Sequence, residues 1–244
     1  MSDFVHLHTH SEYSLLDGLG KLDHLIERAK SFGMESLAIT DHGAMYGSFK
    51  FYLKAKAAGI KPIIGVETYV ARRSRFDKEQ KLDTEPYHLV LLAKNETGYK
   101  NLLKLVTQAH LEGFYYKPRV DWELLTKYHE GLICLSACLQ GQVPQLLRSN
   151  QDQEAEEVAK KYSELFGPHH YYIELQRHPA IPECDAVNEK LVALARKLGL
   201  PIVATNDVHY VDAEDSEAQE ILLCVQTQQT IKDKNRKMSM IGSP

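Results

Sequence analysis

Seven stretches rich in β-branched and other apolar residues, at 4–8, 36–40, 62–70, 87–93, 132–136, 171–175 and 201–205, alternate with stretches of helical periodicity. Nearly every one carries a histidine, a carboxylate or a cysteine within it or just past it. The helical stretches fall at 22–32, 48–58, 98–111, 122–128, 151–166, 184–198 and about 215–225, and Gly33, Gly59, Gly131, Gly167 and Gly199 stand where such helices end. Such alternation predicts a parallel sheet, either open and doubly wound or closed into a barrel. The polar residues bear on that choice. Neighbouring strands lie about 4.8 Å apart, so the outer members of an open seven-stranded sheet stand roughly 29 Å from one another. Ligands of one ion must lie about 2.0–2.3 Å from it. If the strand-end residues share one site, the sheet must close, with the site at its C-terminal mouth, where loops vary while strands hold the geometry.

The residues in question are specific. His6, His8 and His10 alternate, so in an extended segment they point to one face, as metal ligands or as the wet face of an edge strand. The second strand ends in Thr40-Asp41-His42, the third holds Gly65-Val66-Glu67, and the fourth opens on Tyr87-His88. Cys138 follows the fifth, Glu174 lies in the sixth with Arg177 and His178 after it, and Asp207-Val208-His209 follows the seventh. One shared site is the economical explanation.

Composition narrows the function classes. With 43% hydrophobic and 25% charged residues the chain can bury a core, which excludes disordered and collagen-like order. A formal charge of −4 excludes coating duplex DNA by charge alone. No apolar run is long enough to span a bilayer, and nothing at the start reads as a targeting signal. Cys134, Cys138, Cys184 and Cys224 form no Cys-x-x-Cys pair, which suits free thiols in a reducing cytoplasm. The irregular stretches 72–85 and 112–120 read as long loops, with Arg72, Arg73 and Arg75 as solvated charges. The end, 232–244, reads as a polar, unanchored linker following one domain over 1–231.

His8-Thr-His10-Ser with Asp17-Gly18, Thr40-Asp41-His42, Gly65-Val-Glu67 and Asp207-Val-His209 resemble the successive motifs of the PHP (polymerase and histidinol phosphatase) superfamily. Four ordered motifs make the likeness specific over essentially the whole chain. Within the superfamily, 4–18, 59–67 and 135–141 are similar to the domain at the N-terminus of bacterial replicative DNA polymerase alpha subunits. The resemblance implies an α/β fold, a distorted seven-stranded β/α barrel of TIM-like form, with its site at the C-terminal mouth. It also implies up to three divalent ions held by nine residues: His8, His10, Asp17, His42, Glu67, His88, Cys138, Asp207 and His209. His88 lies in a plain strand, where a histidine capped by the core fits equally. Asp17 and Cys138 stand where stand-alone PHP phosphatases commonly have histidine, which favours the polymerase branch.

Imidazole and carboxylate with one thiolate suit zinc, with manganese or iron at the positions poorer in sulfur. Such a centre implies metal-assisted phosphoester hydrolysis, in which the ligand set acts through a metal-bound hydroxide and no separate protein base is required. The resemblance implies a 3'-5' exonuclease on DNA ends. The alternatives are a structural module that docks the separate proofreading exonuclease and the rest of the polymerase, and a small-molecule phosphatase, which Asp17 and Cys138 disfavour. His6 and Asp41 are expected to support the ligands from behind, Asp41 through His42. Arg177, Lys117 and Arg119 are candidate phosphate or DNA contacts, although the loop at 114–119 could equally tuck against the barrel rim.

Overall fold

The computed structural model describes residues 4–15, 17–167, 169–178, 181–233, 236 and 239. Along the chain run α1 (Leu22–Ser31), β1 (Ser36–Ile39), α2 (Ser48–Ala58), β2 (Lys61–Val70), β3 (Tyr87–Ala93), α3 (Glu96–Leu111), β4 (Arg119–Val120) and α4 (Trp122–Tyr128). They continue with β5 (Leu132–Leu135), α5 (Gln142–Arg148), α6 (Asp152–Phe166), β6 (Tyr171–Gln176), α7 (Glu183–Leu198), β7 (Ile202–Thr205) and α8 (Ser216–Thr227). The helices form where apolar residues recur on one face. Leu22, Leu25, Ile26 and Ala29 bury that face of α1. Helix α3 is started by the Asn95 side chain, which accepts the Gly98 N–H, and α7 is stopped by Gly199 in the left-handed conformation. No described helix is long and apolar enough to cross a membrane, and all four cysteines are free thiols.

The seven strands form one curled sheet in the order β1-β2-β3-β5-β6-β7, with β4 beside β2. The segment at 4–8 is not itself a strand, so the seventh strand is the short β4. That segment instead closes the sheet. The His6 carbonyl accepts from Ala38 and the Thr9 carbonyl from Thr40, on the β1 side. On the other side His10 N–H reaches the Val208 carbonyl and Val208 N–H reaches the His8 carbonyl. The barrel is thereby completed by single hydrogen bonds rather than a regular ladder.

Pairing is not parallel throughout, as strand-helix alternation predicted: β2–β3 and β3–β5 are antiparallel. The reason is local. No helix separates β2 from β3, and without a crossover the chain can only turn back on itself. This reversal carries His88, at the start of β3, to the mouth rather than the floor of the barrel, in register with Tyr69 near the end of β2.

The loop between β2 and β3 is firmly anchored. Arg75 is buried and binds Asp121, Glu112 and Glu123, while Arg73 holds Asp83. Arg119, fully buried, donates to the carbonyls of Gly113, Asp83, Arg75 and Asp77. Arg73 and Arg75 are therefore not merely solvated, and Arg119 is not a DNA contact. It holds the loop by satisfying carbonyls that would otherwise be buried bare. The hydrogen bonds that Asp83 accepts from Arg73 hold its carboxyl down at about 2, below the usual carboxylate value of about 3.9. A depressed carboxylate stabilises the fold above its unfolded value and loses that contribution as pH falls from about 4 to about 2. Asp83→Asn is accordingly expected to lower the melting temperature at pH 7, with the gap to wild type closing over that acid window in thermal scans.

Of the expected linker, residues 234, 235, 237, 238 and 240–244 lie outside the described residues. Arg236 and Ser239 are described, and both bind the buried Glu220 of α8.

Candidate metal centre

Eight of the nine implied ligands are joined through two carboxylates. Glu67, buried in the middle of β2, turns Oε1 toward His8 Nε2 at 3.4 Å, His88 Nδ1 at 2.9 Å and Cys138 Sγ at 3.9 Å. Its Oε2 faces His10 Nε2 at 3.5 Å and His42 Nδ1 at 2.6 Å. Asp207 Oδ1 lies 3.2 Å from His8 Nε2, 3.1 Å from His10 Nε2 and 3.6 Å from His209 Nδ1. Asp17 completes the group, with Oδ2 3.4 Å from His42 Nε2. The barrel brings together residues from the N-terminal segment, from β2 and β3, and from the ends of β1, β5 and β7.

One of these positions, and the residue before another, sit on backbone that side chains rarely adopt. Asp207 has φ of 52° and Ala137, just before Cys138, has φ of 64°. Strain of this kind persists where the surroundings enforce it and gathers at functional sites. Here it directs one carboxylate and one thiol into the same mouth.

The histidines are oriented from behind. His8 Nδ1 is 2.7 Å from Glu174 Oε1, so its N–H donates there and Nε2 faces Glu67 and Asp207. His10 Nδ1 is 3.0 Å from Ser14 Oγ, whose own hydrogen goes to Asp41 Oδ1. His209 Nδ1 donates to the Asp207 carbonyl at 2.7 Å. With Nδ1 so engaged, each of the three imidazoles has Nε2 as its remaining coordinating atom, and on His8 a metal there would replace the proton that the neighbouring carboxylates favour. Glu174, with a role the sequence did not assign, is also bonded by Thr205 and Gln176. The signal for it was a carboxylate in the middle of an apolar strand. Ser14 offered no such signal.

Electrostatics follow from this crowding. Burial lowers the His42 pKa, but Asp17 and Glu67 outweigh it and raise it to about 9. Burial likewise works against a charged His8, and Asp207, Glu174 and Glu67 push it well up. Burial, with His42 and His209 nearby, drives His10 well down. Burial and the neighbouring carboxylates raise the Cys138 thiol. The site therefore holds carboxylates that call for positive charge close to lone pairs able to coordinate it.

The donors fit a metal. His8 Nε2, His10 Nε2, Asp207 Oδ1, His42 Nδ1, Glu67 Oε2 and Asp17 Oδ1 are buried without a well-aligned hydrogen bond, even where His42 Nδ1 and Glu67 Oε2 come within 2.6 Å. Three sets converge closely enough to share an ion: His10 with His42 and His209, His8 with His10 and Asp207, and His42 with Glu67 and His88. Lone pairs pointed at one another away from water are costly unless a cation lies between them.

The other expected residues fall elsewhere. His6 does not share the face of His8 and His10, because the segment is not a regular strand. It packs against Phe4 and lines a separate cavity with Arg28 and Asn206. Asp41 binds Ser11 and Ser14, and so acts on His10 through Ser14 rather than on the His42 ring. Burial pushes its carboxyl up to about 6. Arg177 is exposed beside Asp185 at 3.6 Å. Lys117 lies 5.2 Å from the Tyr69 ring, which itself stacks on His42. His178, read from sequence as a strand-end residue but outside the implied ligand set, lines the mouth with Gln176.

The chain matches the PHP domain family over residues 6–178. It belongs to the PHP family. It is 55% identical to the DNA polymerase III subunit alpha of Treponema pallidum and 52% identical to that of Borreliella burgdorferi, in each case over 96% of this chain and 20% of the relative. The chain thus spans about a fifth of the length of these curated relatives. Among solved structures, an amidohydrolase from Chromobacterium violaceum superposes with a TM-score of 0.52 at 16% identity, covering 84% of this chain and 87% of that one. A two-domain protein from Bacteroides vulgatus, described as containing a predicted PHP-like metal-dependent phosphoesterase, gives 0.50 at 14% identity over 88% of this chain and 55% of its own. At such identities the likeness speaks for the PHP domain's fold.

Proposed function

We propose that this PHP domain is the one carried by a bacterial DNA polymerase III alpha subunit, and that its barrel mouth hydrolyses phosphodiester bonds at DNA 3' ends. The observation that carries this reading is the crowding of buried coordinating atoms on His8, His10, Asp207, His42 and Glu67, none of them in a well-aligned hydrogen bond. His8, His10, Asp17, His42, Glu67, His88, Cys138, Asp207 and His209 would hold up to three divalent ions, zinc first, with manganese or iron where sulfur is absent. Ions bound there would activate water and neutralise charge on the phosphate oxygens. The chain's own part is placement. Glu174, Ser14 and the Asp207 carbonyl keep hydrogens on Nδ1 of His8, His10 and His209, so that Nε2 faces the mouth. Its partners on this reading are a primer end or single strand of DNA and the rest of the polymerase, in the cytoplasm.

To test it, the purified chain is incubated with 3'-labelled single-stranded DNA and zinc or manganese, beside Asp207→Asn. Nucleotides are expected to be released stepwise, and the variant to be slower by about 100-fold. Absence of cleavage, or equal cleavage by the variant, overturns the reading.

One observation favours the scaffold alternative. Helix α2 turns Phe49, Tyr52 and Leu53 outward, with Tyr46 beside them, and Phe49 is 69% exposed. An apolar stripe of this kind suits a protein partner, the proofreading exonuclease or the rest of the polymerase. On that alternative chelation lowers the melting temperature while nuclease activity stays at background throughout.

A further inference from the structure

The mouth opens into a cavity of about 400 Å³. The metal-centre residues form one wall. The rest of the lining includes Leu139 and Gln140 after β5, Arg148 in the last turn of α5, and Ile181 and Glu183 where α7 begins. Arg148 is the one permanently cationic side chain among the described lining residues. Its Nη1 stands 3.6 Å from Glu183 Oε2, beyond a good hydrogen bond, and the two side chains are 41% and 64% exposed. A pair so open to water adds little to the fold and is readily exchanged for a better partner. The planar guanidinium fork matches phosphate oxygens.

We propose that Arg148 receives the phosphate adjoining the one cleaved, and that Glu183 holds the guanidinium until a strand enters. The inference rests on the phosphodiester reading of the mouth and narrows its substrate class. The preferred substrate is an unpaired strand bearing at least two phosphates, rather than a lone ester. The cavity lies low in the usual range of about 300–1,000 Å³ for small-ligand pockets, which gives room for one nucleotide and none for a duplex.

The test uses two probes on the purified chain. Binding of fluorescein-labelled tetrathymidylate is followed by anisotropy across a salt series without added metal. Hydrolysis of bis(p-nitrophenyl) phosphate, a diester with a single phosphate, is followed with manganese. Arg148→Ala is expected to weaken tetrathymidylate binding by about tenfold. It should also flatten the slope of log Kd against log salt by about 0.7, the loss of one single-strand phosphate contact. Glu183→Gln is expected to tighten binding about two- to threefold by releasing the guanidinium. Both variants should keep their KM for the single-phosphate diester within about twofold. Failure of the chain to bind tetrathymidylate, unchanged binding in Arg148→Ala, weaker binding in Glu183→Gln, or an equal KM rise for the single-phosphate probe would each overturn the proposal. If the chain releases no nucleotide from 3'-labelled single-stranded DNA, the hydrolytic reading fails and the adjoining-phosphate role falls with it, while the anisotropy series still decides whether Arg148 contacts a phosphate of the strand.

Discussion

Glu67→Gln is expected to lower phosphodiester hydrolysis by about a thousandfold, beyond the 10–100-fold that loss of a single supporting partner costs. It should also reduce bound metal by at least one ion per chain in elemental analysis. The amide keeps the shape of the side chain and removes its charge. What makes this position more costly than Asp207 is its reach, since Oε1 faces His8, His88 and Cys138 while Oε2 faces His10 and His42. These imidazoles hold the Glu67 carboxyl well below its ordinary range, against the opposing effect of burial. In the variant a neutral amide replaces the anion that both groups share, and its NH2 donates where a lone pair is needed. Unchanged metal content with activity within tenfold of wild type would show that Glu67 is not a shared ligand.

The second large effect concerns stability. Arg119→Met is expected to cost about 3–5 kcal/mol, because four carbonyls lose their donor while the site stays closed to water. For a chain of this size that corresponds to a fall of ~10 °C in melting temperature. Methionine fills much of the vacated volume, so the loss reports the hydrogen bonds rather than a cavity. Arg177→Ala is the natural comparison. That exposed side chain, loosely paired with Asp185, should shift stability by no more than about 0.5 kcal/mol. A similar small shift for Arg119→Met would mean that the 72–86 loop does not depend on it.

The contrast between these arginines shows what could be read from the chain alone. His42, Asp207 and His209 were legible because a strand end is a fixed place, and alternation along the chain predicts several such ends pointing one way, whereas Glu67, inside β2, was legible through the Gly65-Val66-Glu67 motif. His8 and His10 were legible from their spacing. His6 was misjudged because that spacing assumes an extended strand, and the segment at 4–8 makes only scattered backbone bonds. Arg119 sits among aromatics and positive charges, as nucleic-acid contacts do, and what buries it is a loop more than thirty residues earlier in the chain. No local pattern encodes that. The reversed direction of β3 was written in the missing helix between β2 and β3, a cue that overall strand-helix alternation outweighed. Helix α5 went unread because it is short and carries Pro144, which reads as a breaker but lies in the first turn, where proline is tolerated.

The barrel closes at a seam where residues near position 9 meet residues near 208 through little more than two backbone hydrogen bonds. Almost the whole chain forms the loop that this contact closes, so its entropic cost is the largest of any in the sheet. Yet His8 and His10 flank the seam on one side, and Asp207 and His209 on the other. An ion shared between them would act as a rivet across the weakest joint in the wall, linking the integrity of the barrel to the loading of its mouth.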